Sequence, residues 1–129
     1  MSENKLPILA VDDEEVILSL LVSVAEDLEL PIQTAPSSAI AKEMLLQSDF
    51  GLVMTDMSMP GESGLDLCIW LRDKNPTIPI IVLSGNVNPE DALHLEELSV
   101  RICPKPLRLS TLELAVAEFY HPAPDKIPQ

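Results

Sequence analysis

Five short apolar runs, at Leu6 to Val11, Ile32 to Ala35, Leu52 to Thr55, Ile78 to Leu83 and Val100 to Cys103, are each bounded by polar, Gly or Pro residues. Runs of this length bounded in this way read as buried strands. The segments between them carry helical periodicity. The clearest puts Val16, Ile17, Leu20, Leu21, Val24, Ala25 and Leu28 on one stripe, with Glu15, Ser19, Ser23 and Glu26 opposite. Strands alternating with helices need right-handed crossovers and a mostly parallel sheet covered on both faces. The expected fold class is therefore α/β, a doubly wound five-stranded parallel sheet in a three-layer α/β/α arrangement. Ligands in such folds gather at the carboxyl ends of the strands.

A chain of 129 residues, 47% of them apolar, can bury one core without cross-links. That core is aliphatic, since Phe50, Trp70, Phe119 and Tyr120 are the only aromatic residues. The stretch HPAPDKIPQ reads as a tail or the start of a linker, which divides the chain into a domain over 1–121 and a tail or linker over 122–129. Asn88 is placed to cap a helix whose first residue is Pro89 and whose first turn is acidic at Glu90 and Asp91. Ser110 and Glu113 form a capping-box pattern that predicts a last helix from about Thr111 to Tyr120, with Leu112, Ala115, Val116 and Phe119 inward.

The formal net charge of −13 repels nucleic-acid phosphates and anionic membrane surfaces, so neither is an expected direct partner. No segment approaches the roughly 20 apolar residues of a bilayer span, and the start shows no export signal. Cys68 and Cys103 read as two buried thiols rather than a disulfide or metal pair, which suits the cytoplasm.

The chemistry lies where the strands end. Asp12 and Asp13 follow the first run and Asp56 the third, so a sheet that sets these strands side by side gathers three carboxylates in one crevice. They repel one another, and a hard cation with oxygen ligands, Mg²⁺ or alternatively Mn²⁺, would neutralise them. Ser84, Gly85 and Asn86 follow the fourth run; Lys105 and Pro106 follow the fifth. An acyl phosphate on Asp56 would then find counter-charge in the cation and the Lys105 ammonium, and donors in the Ser84 hydroxyl and nearby backbone N–H groups.

Val11-Asp12-Asp13-Glu14, Thr55-Asp56-Met57-Ser58-Met59-Pro60-Gly61, Leu83-Ser84-Gly85 and Lys105-Pro106 resemble the four signature segments of response-regulator receiver domains of the chemotaxis type. The resemblance spans about residues 6 to 120. Each segment alone is weak; four in order at strand ends are specific. The resemblance implies a flavodoxin-like strand order 2-1-3-4-5 and Asp56 as the phosphoacceptor nucleophile. It implies direct metal ligation by Asp13, Asp56 and the Ser58 backbone carbonyl, with Asp12 acting largely through a metal-bound water. A cis peptide before Pro106 is also implied. The function implied is that of a two-component phosphorelay switch that promotes its own phosphorylation and dephosphorylation, rather than an enzyme turning over a separate substrate. Its partners would be a sensor histidine kinase or phosphotransfer protein upstream and an effector protein or domain downstream.

The sequence departs from the family at Ile102, where receivers commonly carry Tyr, Phe or His as a switch residue, and at Pro104, which removes a donor from the fifth strand. Ser58 and Asn86 flank the site and neither presents a strong base to an attacking water. These departures keep open a phosphorylation-independent interaction module. A phosphohydrolase of the haloacid dehalogenase type usually places an acid two residues beyond the nucleophile, where this chain has Ser58. His94, in a short acidic helical segment, is given no role. The helix with Leu65, Cys68 and Leu71 on its inward stripe leaves Ile69 and Trp70 off that stripe, and the last helix leaves Leu114 off its own; scattered apolar surface residues are common, and a partner or homodimer contact is the competing reading.

Overall fold

The computed structural model describes residues 5–121, so the expected tail over 122–129 lies outside the described residues. The elements are β1 (Ile8–Val11), α1 (Glu15–Asp27), β2 (Ile32–Ala35), α2 (Ser38–Gln47), β3 (Leu52–Asp56), α3 (Gly64–Lys74), β4 (Ile80–Ser84), α4 (Pro89–Glu97), β5 (Arg101–Pro104) and α5 (Leu109–Phe119). All strand pairs are parallel, in the order β2-β1-β3-β4-β5. The expected fold class and strand order are those observed.

Three strands begin later than their apolar runs. Pro7 and Pro79 have no N–H to give a ladder. Their carbonyls instead accept from Gly51 N at 2.9 Å and Val53 N at 3.0 Å. Val100 N donates to the Leu95 carbonyl and closes α4, leaving Arg101 to start β5. Pro104 ends that edge strand opposite Ser84, and the pairing carries on through Lys105 N to the Ser84 carbonyl at 2.8 Å.

Alternate strand residues feed two cores. Leu9, Val11, Val53, Ile80 and Val82 pack with Leu67, Cys68, Leu71 and Leu95 from α3 and α4. Ile8, Ala10, Leu52, Met54, Ile81 and Leu83 pack with Leu21, Val24, Leu112 and Val116 from α1 and α5. The two free cysteines fall one on each side, Cys68 in the first core and Cys103 in the second.

Burial pushes the Cys68 thiol up to about 12. Below the ordinary value of 9.0 both folded and unfolded chains keep the proton; above it the unfolded chain ionises first, and stability falls as pH rises towards 12. Urea titrations from pH 8 to 11 are expected to show a steeper loss for the native sequence than for Cys68→Ala. Equal slopes would remove Cys68 as the cause.

Four local expectations are corrected. Val16 is 80% exposed, because the apolar stripe of α1 meets the core only from Ile17 onward. Ser110 does not cap α5: the helix starts at Leu109 with Arg108 as a cap that makes no side-chain bond. A Ser cap is worth only about 1 kcal/mol, and the short connection after Pro106 lets the helix begin a residue before Ser110. In α3, Leu67 is fully buried while Leu65 is only partly so. Trp70 is not a free contact point, since it packs against the first core beneath the Lys42 ammonium, 5.3 Å from its ring centre. Asn88 does cap α4, accepting from Asp91 N at 2.7 Å. Leu114 is 73% exposed, as its phase requires.

Side chains and main chain fasten the sheet's surroundings. The half-buried Arg72 guanidinium at the end of α3 donates to the carbonyls of Ile78 at 2.6 Å and Leu98 at 2.7 Å, tying two loops together. At the amino ends of the strands, the Tyr120 hydroxyl donates to the Leu6 carbonyl and His121 N to the Gly51 carbonyl at 3.0 Å. Among the described residues, no helix is long and apolar enough to cross a membrane.

Candidate phosphoacceptor site

The carboxyl ends of β1, β3, β4 and β5 converge, and the chemistry-bearing residues converge with them. Asp12 leaves β1 with its N–H still bonded to the Ala35 carbonyl at 3.1 Å. Its side chain is fully buried. One oxygen accepts from Glu14 N at 2.8 Å and turns the chain into α1; the other, Oδ2, has no partner. Burial pushes this carboxyl up to about 6; the Glu14 N–H opposes that rise and the nearby Asp56 charge adds to it.

Asp56 is the last residue of β3, opposite Leu83 in register and 5% exposed. Lys105 Nζ donates to Asp56 Oδ1 at 2.8 Å. Burial lowers the lysine, but the hydrogen bond and charge of Asp56 outweigh it and the net shift is upward. Ser84 ends β4, and its hydroxyl oxygen accepts from Asn86 N at 3.2 Å. The Lys105–Pro106 peptide is cis.

A cleft of about 410 Å³ opens over these groups, lined by Asp13, Glu14, Asp56, Met57, Ser58, Ser84, Gly85, Asn86 and Lys105. Asp12, Asp13 and Asp56 each place an oxygen within 4.8 Å of the others. Three anions so close, one with a buried oxygen lacking any partner, form a donor set suited to a hard divalent cation. Ile102, by contrast, is half-buried away from the cleft, beside Ala92, Glu96, Val100, Arg101 and Phe119 in a separate groove between α4 and α5.

Sequence reasoning missed Gly64. It begins α3, its N–H donates to the Met57 carbonyl at 2.9 Å, and a Cβ there would overlap the Asp56 carbonyl oxygen. The available signal was a glycine opening a helix directly after the Ser63 cap, a place where helix propensity disfavours it.

A five-stranded parallel sheet of this order with an acidic cluster at its carboxyl edge defines a flavodoxin-like receiver fold. The model of the family described as response regulator receiver domain matches residues 8–117, and the chain belongs to that family. Among relatives, the response regulator protein PilR of Pseudomonas aeruginosa is 31% identical over 110 residues, covering 84% of this chain and 25% of PilR. The transcriptional regulatory protein ResD of Bacillus subtilis is 36% identical over 82 residues, covering 64% of this chain and 34% of ResD. The chain thus spans less than half the length of these relatives. A response regulator receiver protein from Pseudomonas putida superposes with a TM-score of 0.83 at 29% identity, covering 91% of this chain and 99% of that one.

Proposed function

We propose that this receiver takes a phosphoryl group onto Asp56 from the phosphohistidine of a sensor histidine kinase or phosphotransfer protein, or from a small phosphodonor. The observation that carries the reading is the placement of Asp56 at the floor of the cleft, its oxygen 2.8 Å from Lys105 Nζ and within 4.8 Å of both other aspartates. A carboxylate oxygen of Asp56 attacks phosphorus, the bond from phosphorus to the donor's nitrogen or oxygen breaks, and the donor leaves with that electron pair. Lys105 then faces the new phosphoryl oxygens instead of a bare carboxylate. The Ser84 hydroxyl, accepting from Asn86 N, keeps its own proton to donate.

Asp13, Asp56 and the Ser58 carbonyl would hold Mg²⁺, or Mn²⁺ in its place, with Asp12 reaching it through water. The cation supplies charge neutralisation for the acidic cluster and the incoming phosphoryl oxygens. The receiver unit covers residues 1–121 and works in the cytoplasm. It switches an effector protein or domain through α4, the Ile102 strand and α5, and a homodimer contact would use the exposed Ile69 and Leu114.

Incubation with acetyl phosphate and Mg²⁺ is expected to add one phosphoryl mass, and chelation of the metal to prevent it. An adduct that forms equally well in excess chelator would overturn the metal-dependent reading.

A further inference from the structure

The loop from Met57 to Gly64 carries the Ser58 carbonyl; Met57 and Met59 on either side of it are buried in the first core and Met57 N donates to the Leu83 carbonyl at 3.0 Å, and beyond these anchors two further fastenings hold the loop. Its base is closed by the Gly64 N–H on the Met57 carbonyl at 2.9 Å. Gly61, at φ 81°, turns the chain just before Glu62, which meets α2. There the second fastening comes from α2 alone. The Ser38 hydroxyl, 2% exposed as a residue, donates to the Glu62 carbonyl at 3.2 Å. One turn further along the helix, Lys42 Nζ donates to Glu62 Oε2 at 2.6 Å while lying over the Trp70 ring. The lysine is thus seated between α3 and the loop, with its side chain 25% exposed against 33% for Glu62. An ion pair that is part-buried, backed by an aromatic face and doubled by a buried hydroxyl restricts a loop far more than a solvated surface pair does.

We propose that Ser38 and Lys42 are positioning residues for metal binding, holding Glu62 so that the Ser58 carbonyl stays at the cleft; the inference rests on the metal-dependent reading of the site. Backbone ligands depend on their surroundings for orientation, as side-chain ligands depend on their outer hydrogen bonds. The sign of the effect separates positioning from simple electrostatics. Removing the Lys42 charge brings the surroundings of the aspartates nearer to pure negative charge, which favours a cation. A positioning role predicts the opposite, weaker binding.

The test is Mg²⁺ titration by calorimetry on the native protein, Lys42→Met, Lys42→Arg and Ser38→Ala, with thermal melting of each. Lys42→Met keeps an unbranched stem over Trp70 and is expected to raise the Mg²⁺ dissociation constant about tenfold. Lys42→Arg is expected to restore most of it, and Ser38→Ala to weaken binding in the same direction. At saturating Mg²⁺ the acetyl phosphate rate of Lys42→Met is expected to recover to within about twofold of native, because ligand placement rather than the nucleophile is altered. Unchanged Mg²⁺ affinity in folded Lys42→Met and Ser38→Ala overturns the positioning role while leaving the site reading intact. A native protein that binds no Mg²⁺ overturns both.

Discussion

Asparagine at position 56 is expected to leave a folded protein that takes up no phosphoryl group. The amide keeps the size of the carboxylate and a carbonyl oxygen that can accept from Lys105, so the 2.8 Å contact has a neutral equivalent. What is lost is the nucleophile, because an amide oxygen is a poor attacking group at phosphorus. Neither neighbour is placed to take over. Asp12 is fully buried, with one oxygen committed to Glu14 N, and Asp13 is an exposed residue at the cleft's rim. A rate loss of at least about 10³-fold, roughly 4 kcal/mol of barrier, is expected. Intact mass after acetyl phosphate treatment, with circular dichroism to verify folding, reads the result. An undiminished adduct in Asp56→Asn would move the acceptor to Asp13.

The second large effect is structural in origin and reaches the site indirectly. Gly64→Ala drives a methyl group into the Asp56 carbonyl and the Met57 Cα, both main-chain atoms without rotamers to escape through. Overpacking against backbone costs about 3 kcal/mol, enough to lower the melting temperature by roughly 10 °C in a domain of this size. Because the displaced atom belongs to the acceptor residue itself, phosphorylation should fall beyond what unfolding explains. Gly61 is the internal control. It has open space around its Cβ position but a left-handed φ of 81°, so Gly61→Asn, the side chain that best tolerates that region, should cost only about 1 kcal/mol, well under Gly64→Ala. A Gly64→Ala protein that melts with the native one would show that the start of α3 can slide away from β3.

The sheet was readable because its signal is local and redundant. Leu52 and Met54 face one core and Val53 the other, so the run is apolar throughout, as a strand buried on both sides must be. The site was readable for a related reason: Asp12, Asp56, Ser84 and Lys105 each stand at or just after a strand's end, where a parallel sheet collects them. What stayed hidden depends on which distant atoms meet. Nothing near Lys42 in the sequence points to Glu62, and nothing at Gly64 names the Asp56 carbonyl as its neighbour. Val16 and Ser110 fail differently. Each obeys a sound local rule, an apolar stripe or a capping pattern, that the path of the chain at a helix start overrides.

The bonds joining Tyr120 to Leu6 and His121 to Gly51 lie at the amino ends of the strands, across the sheet from Asp56. A dye, an affinity handle or a solid support joined at His121 would therefore hang from the side opposite the opening, leaving donors free access. The same adjacency suits circular permutation of the domain: a short bridge from His121 back to Leu6 would join the two edges of the described unit, and new ends could be cut in an exposed turn.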